Sequence, residues 1–337
     1  MARYRGNRLD TNSLWYGLYN KSIELGMWNP EALMDEIGFE RDREIWEDLD
    51  DDEREQIRRI LVAFLDGEFE VGDDAVHHLQ TMMDAPCLDD NEMKQIYMTS
   101  FALTEHKHTQ FLDIYIENVM DGFDDYTELN PRSEARVPII EATGVGEVFE
   151  HQGELTAKAA ETHDPVDIAR AAACYHLDVE GILARTGFFA INKMSANAPL
   201  PLLNRGFKFI STDEGRHLTH GVRLLQELLE KERAGEPGYE GVGDAIVEVL
   251  NEDTPPMAEF AYMITDSVDD PLEVGFGELL MRGGEFVEGM YNESLGLEYD
   301  SMEYVESVRD RYQAIDDDAI QADLDELRRS YDVKRGA

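Results

Sequence analysis

The sequence predicts an all-α protein, an antiparallel bundle of long helices, and three features of the chain carry that expectation. Apolar residues recur at a period near 3.6 over long segments. Alternating strand-like runs bounded by turn residues are missing, and the breaks between helical segments are modest. One helix is expected from about Asp52 to Thr81 and a second from about Asp90 to Met120. A third covers about Gly144 to Thr162. The next starts at Asp164-Pro165, an N-cap followed by the residue best tolerated in a first turn, and runs to about Lys193. Another extends from Leu202 to Arg233, where Ala234-Gly235-Glu236-Pro237-Gly238 ends it. Further helices are expected in 241–250, 255–292 and 300–330. Several approach about 30 residues, well above the globular mean of about 11–12, and no repeat of fixed period argues for a solenoid. The Asp-, Gly- and Pro-rich stretch from Asp121 to Pro138 reads as a connection inside one domain spanning 1–337, because the helices flanking it carry matching chemistry.

Hydrophobic residues make up 42% of the 337, enough for a sizeable core. The longest apolar run, Ile60 to Leu65, is far short of the roughly 20 residues that span a bilayer. With no signal-like N-terminus, a soluble, cytoplasmic protein is expected. The formal net charge is -43, and only eight of the 30 basic residues are lysines. Such self-repulsion opposes compaction in dilute buffer and is screened at about 1 M salt, so the composition points to a salt-rich, halophilic cytoplasm. The surface suits no nucleic acid, which needs a basic patch. Cys87 and Cys174 lie far apart and form no metal motif.

Two segments repeat one arrangement, Glu105-His106-Lys107-His108 and Glu214-Gly215-Arg216-His217. Glu and His three apart project from one helix face. Met98, Phe101, Ala102 and Leu112 share that face in the first segment, and Phe207, Ile210, Leu218 and Leu225 share it in the second. Ionisable groups in an apolar stripe cost several kcal/mol unless paired or bound to metal. Glu68 lies on the stripe of Leu61, Phe64 and Leu65, and Glu180 on that of Leu177 and Leu183. Glu70 and Asp178 are neighbouring carboxylates that fall off those stripes, and His176 and His220 lie one turn from proposed ligands. Each half of the segment from about 50 to 235 thus offers a glutamate on one helix and Glu-x-x-His on the next. Glu68, Glu105, His108, Glu180, Glu214 and His217 match the ligand set of dinuclear iron and iron/manganese carboxylate proteins.

With these residues in view, the chain resembles the ribonucleotide reductase small-subunit superfamily, whose fold is ferritin-like. The likeness runs from Trp28-Asn29-Pro30 through Trp46, Leu49, Glu53 and Arg54 to Asp213-Glu214-Gly215-Arg216-His217. It implies that Asp213 hydrogen-bonds a histidine ligand, His108. The superfamily holds radical-generating subunits and a branch of ligand-binding oxidases. The former place a tyrosine one turn past the first histidine ligand, where this chain has Leu112, with Tyr115 two turns away. The oxidase branch has a valine three after the first glutamate and a tyrosine five before the third, matched by Val71 and Tyr175. In that branch the two side chains become joined by an ether bond. One departure is Gly67-Glu68-Phe69-Glu70-Val71, where a second Glu would directly follow Glu68 in the family.

The resemblance implies an oxygen-activating oxidase with a manganese/iron pair, a bound long-chain fatty acid or similar apolar ligand, and a homodimer. Two other readings stay open: a reductase small subunit that stores its oxidant in the metal pair without a tyrosine, and a ferritin-like iron storage or detoxification protein. Ser330 to Ala337 make a short end, unlike the docking tail of a reductase subunit.

Overall fold

The computed structural model describes residues 9–70, 75–120, 145–265 and 272–299. All regular structure among them is helical, as the periodicity predicts. Three short helices open the chain: α1 (Leu14–Leu25), α2 (Pro30–Ile37) and α3 (Glu40–Asp48). The sequence reading assigned none of them, since each is too short for its periodicity to stand out. Their starts are nonetheless encoded. The Ser13 side chain accepts from Trp15 N, and Asn29 accepts from Ala32 N ahead of Pro30.

The single helix expected from Asp52 to Thr81 is described as α4 (Asp51–Glu70) and α5 (Val76–Met82). Val71 lies between them, outside the described residues. The second and third expected helices match α6 (Asn91–Val119) and α7 (Val145–Thr162). At α8 (Pro165–Ala172) the Asp164 carboxylate accepts from Val166 N and Asp167 N, as the cap motif predicts. From there the chain continues as a π-helical segment, Ala173–Leu183, and then α9 (Ala184–Asn197). The α10 helix spans Pro201–Arg233.

Downstream the structure corrects the boundaries. A single α11 (Val242–Thr265) runs through Pro255 and Pro256, where a break was expected. Pro interrupts a helix by removing a donor and crowding the preceding turn, so packing against α7, α8 and the π segment overrides a local cost of about 3 kcal/mol. After α12 (Phe276–Val287) comes a second π segment, Glu288–Ser294. The helix expected over 300–330, with Ser330 to Ala337 beyond it, lies outside the described residues, as does the connection from Asp121 to Pro138.

Four strands of helix close a ring: α4 packs on α6, α6 on α10, α10 on the π segment, and α9 back on α4. Two apolar clusters fill this ring, one containing Phe101, Leu177 and Leu218, the other Leu65, Phe111, Phe188 and Ile210. Along α6, and from the π segment into α9, the chain passes from the first cluster to the second; along α10, and from α4 to α5, it passes from the second to the first. The order down–up–up–down with one long connection is ferritin-like. Between the clusters, α4, α6, the π segment and α10 each turn a polar residue inward. The polar layer sits where the core should be continuous.

Among the described residues no helix is long and apolar enough to cross a membrane. The charge of -43 leads to an expectation for stability. Raising KCl from about 0.1 M to 2 M should raise the thermal midpoint by roughly 10 °C or more, because screening removes self-repulsion. A flat or falling midpoint in scanning calorimetry would contradict it.

Candidate metal centre

The polar layer consists of Glu68 from α4, Glu105 and His108 from α6, Glu180 from the π segment, and Glu214 and His217 from α10. All six are buried, with exposures from 0% at His108 to 8% at Glu68. They form two overlapping groups. In one, His108 Nδ1 lies 3.3 Å from Glu68, 3.6 Å from Glu105 and 3.3 Å from Glu214. In the other, His217 Nδ1 lies 2.8 Å from Glu105, 3.2 Å from Glu180 and 3.4 Å from Glu214. Glu105 and Glu214 belong to both groups and reach each imidazole with a different oxygen.

Each imidazole is aimed by its far nitrogen. His108 Nε2 meets Asp213 Oδ2 at 3.2 Å, and His217 Nε2 meets Thr104 Oγ1 at 2.8 Å. Their near nitrogens, with Glu105 Oε1 and Glu180 Oε1, have no hydrogen-bond partner. Orphaned buried donors and acceptors are rare in folded proteins. Here they point at one another, which is the arrangement expected of metal ligands held by a surrounding shell.

Electrostatics give the same result. Burial pushes Glu68 up to about 8 and Glu214 up to about 7, far above ordinary carboxylates. Burial disfavours the charged imidazoles, yet the Glu68 charge lifts His108 and the Glu105 charge lifts His217 well above the ordinary histidine range. Burial also opposes the Glu105 charge, but His217 and His108 hold its carboxyl below the usual range. Protons thus supply the positive charge that the cluster demands. Four carboxylates and two imidazoles without thiolate suit iron or manganese, so the residues fit a dinuclear cation site.

A cation entering must displace those protons. Since Glu68 and Glu214 hold theirs below about 8 and 7, uptake should weaken as pH falls through that window and strengthen above it. Apparent Fe(II) or Mn(II) affinity should rise at least about tenfold from pH 6.5 to 8, with protons released on loading. A pH-independent affinity in calorimetry would contradict this.

Asp213 is a hub that sequence distance conceals. It accepts from Trp28 Nε1 at 2.9 Å and contacts Lys107 Nζ at 3.4 Å and Arg216. Burial alone would raise its carboxyl, but the hydrogen bond and charge of His108, then Lys107 and Trp28, bring it down to about 2. Asp213 therefore stays ionised and fixes the His108 ring.

The π segment sets the opposite side. Hydrogen bonds from i to i+5 place Tyr175 and Glu180 on one line, and such segments recur at functional sites. Tyr175 is fully buried, and its hydroxyl has no hydrogen-bond partner. Burial, then the charges of Glu105, Glu180, Glu214 and Glu68, keep that phenol protonated. His176, one of the two neighbouring histidines left open by the sequence, hydrogen-bonds Glu180 Oε2 through Nδ1 at 2.7 Å. His220 is buried without a partner for either nitrogen. Leu112 is buried apolar core, and Tyr115 donates to Asp42 at 2.9 Å within the second cluster. Val71 lies outside the described residues.

An apolar cavity opens onto this layer. Ile60, Phe64, Phe149, Leu183, Phe188 and Phe260 line it, and Glu68, Glu105, Glu180 and Glu214 form its floor. Gly187 keeps the wall open to an aromatic: a Cβ there would come 2.5 Å from the Phe64 ring.

A family model described as "Ribonucleotide reductase, small chain" matches residues 14–256. Among solved structures, the chain is similar to an R2-like ligand-binding oxidase, valine-to-alanine mutant, with an anaerobically reconstituted Mn/Fe cofactor. The TM-score is 0.68 at 20% identity, covering 86% of this chain and 99% of that one. A tyrosine-to-phenylalanine mutant of an R2-like ligand-binding oxidase, with an aerobically reconstituted Mn/Fe cofactor, matches at TM-score 0.66 and 20% identity. It covers 87% and 98% of the two chains. At this identity the likeness is one of fold.

Proposed function

The chain belongs to the ribonucleotide reductase small-chain family, and from that footing we propose that it is a dinuclear-metal oxidase of the ligand-binding kind. The observation that carries the reading is the polar layer of six buried ligand-type side chains at the floor of an apolar cavity. In this reading His108 and Glu68 would hold one metal and His217 and Glu180 the other, with Glu105 and Glu214 in reach of both. Manganese and iron are proposed because the similar oxidases carry a Mn/Fe cofactor and because the donor set suits both. Bound there, the pair supplies two-electron activation of dioxygen for oxidation of a C–H bond.

The chain's own residues do the rest. Asp213 and Thr104 fix the two imidazoles, and His176 fixes Glu180. The cavity walls exclude water and accept the chain of an apolar ligand, proposed to be a long-chain fatty acid whose carboxylate faces the metals. Tyr175 presents a protonated phenol to the same interior. The proposed crosslink joins its oxygen to Cβ of Val71, removing one hydrogen from each and passing two electrons to dioxygen. A homodimer completes the proposal.

After aerobic loading, intact mass should fall by about two hydrogens, with the change mapped to peptides containing Val71 and Tyr175. Tyr175→Phe should keep its metals and show no such change. The same denaturing spectra should show a released fatty acid, and native spectra a dimer. An unchanged mass in the loaded wild type would sink the crosslink. The family match also supports a second reading, a tyrosine-less reductase small subunit. Co-purification with a large subunit and nucleotide reduction would favour it. Iron storage would instead appear as many iron atoms per chain.

A further inference from the structure

Where α7, the π segment and α11 meet, the structure gathers a second group of ligand-type side chains. Ligand atoms of His151, Cys174 and Asp253 all lie within 4.8 Å of one another. We propose that these three, with Asp178 beside them, form a mononuclear site for a thiophilic divalent cation of the zinc class, separate from the dinuclear centre.

The group holds unsatisfied charge. Cys174 and Asp178 are fully buried and Asp253 is 1% exposed. Tyr291 donates to Asp178 Oδ1 at 2.7 Å, and His151 Nδ1 lies 2.7 Å from Asp253 Oδ1. The remaining oxygens, Asp178 Oδ2 and Asp253 Oδ2, have no hydrogen-bond partner. The two carboxyls lie against each other, and the Cys174 thiol lies against Asp253. A buried pair of carboxyls in contact needs a proton or a cation. His151 offers one positive charge at most. Imidazole, thiolate and carboxylate together are a donor set that favours zinc or cobalt over calcium or magnesium. Binding would release the thiol proton and those shared at the imidazole and carboxyls.

One ligand reaches the surface. The His151 side chain is 23% exposed, and its Nε2 faces Glu252 at 3.4 Å. Arg170 bonds Glu248 and Glu252 at the rim. The two sites also share no ligand contact. Glu180 meets His176 and His217, whereas Asp178 meets Tyr291 and Asp253. Occupation would pin the π segment that carries Tyr175 and Glu180 to two outer helices.

The test is Co(II) titration of the full chain after anaerobic loading with Mn(II) and Fe(II), read by the near-ultraviolet thiolate-to-cobalt charge-transfer band. The band should saturate at about one equivalent per chain. Cys174→Ala should abolish it, and His151→Ala, at a half-buried position, should weaken cobalt binding at least about tenfold. Cys87→Ser should leave it intact, since Cys87 faces the His163 carbonyl instead. Glu105→Gln should also leave it intact, which separates this site from the fate of the dinuclear reading. Absence of the band in the wild type, its survival in Cys174→Ala, or its loss in Glu105→Gln would overturn the proposal.

Discussion

Glu105→Gln is expected to empty both halves of the dinuclear centre at once. Glu105 approaches the His108 ring with one oxygen and the His217 ring with the other, and both rings hold its carboxyl below the usual range. The amide keeps the volume but removes the charge that both imidazoles face. Metal content by elemental analysis should fall from about two per chain to near zero, with apparent affinity reduced about 100-fold or more. Glu214→Gln should behave alike, because it too reaches both rings. Glu180→Gln, which touches only the His217 group, should spare the His108 half. Normal metal content in Glu105→Gln would contradict the shared-ligand assignment.

Glu68→Gln is expected to act in opposite directions on the apo and loaded protein. The folded carboxyl titrates at about 8, against 4.5 for the free side chain. Between those values the unfolded chain releases a proton that the folded chain keeps. Stability therefore falls as pH rises from 4.5 towards 8 and levels off above it. Gln carries no such cost. At pH 7.5 the metal-free variant should be more stable by roughly 1–3 kcal/mol, a thermal shift of a few degrees, and the gain should fade as pH approaches 4.5. The same substitution removes a ligand of the His108 half and should weaken metal there. An apo variant less stable than wild type at pH 7.5, with folding intact, would contradict burial as the cause of the Glu68 shift.

The centre was legible in the sequence because its residues break a pattern. Glu105 and His108, or Glu214 and His217, occupy positions that α-helical periodicity reserves for apolar side chains, so a spacing of three marked them. The same stripe logic points to Glu68 and Glu180, and both lie in the layer. Asp178 proves to be buried as well, facing a different cluster, because the helix there is not an α-helix. A π segment follows from packing across the bundle, and no local residue preference announces it. Its i to i+5 register is why the Tyr175–Glu180 pairing came from resemblance and not from periodicity.

Contacts between residues distant in the chain were out of reach for the same reason. Trp28 and Asp213 are 185 apart, and Thr104 and His217 are 113 apart. Only the assembled ring of α4, α6, α9 and α10 makes them neighbours. At α11, tertiary packing carries the helix through a Pro pair that local rules read as a stop. The link between α1 and α2 supplies Trp28 to Asp213, a role that periodicity does not disclose.

Anomalous diffraction from crystals of the loaded protein, collected at the manganese and iron edges, tests the central assignment most directly. Two peaks about 3.5–4 Å apart are expected, one beside His108 and Glu68, the other beside His217 and Glu180, with Glu105 and Glu214 between them. A single peak, or peaks seated away from these side chains, would contradict it.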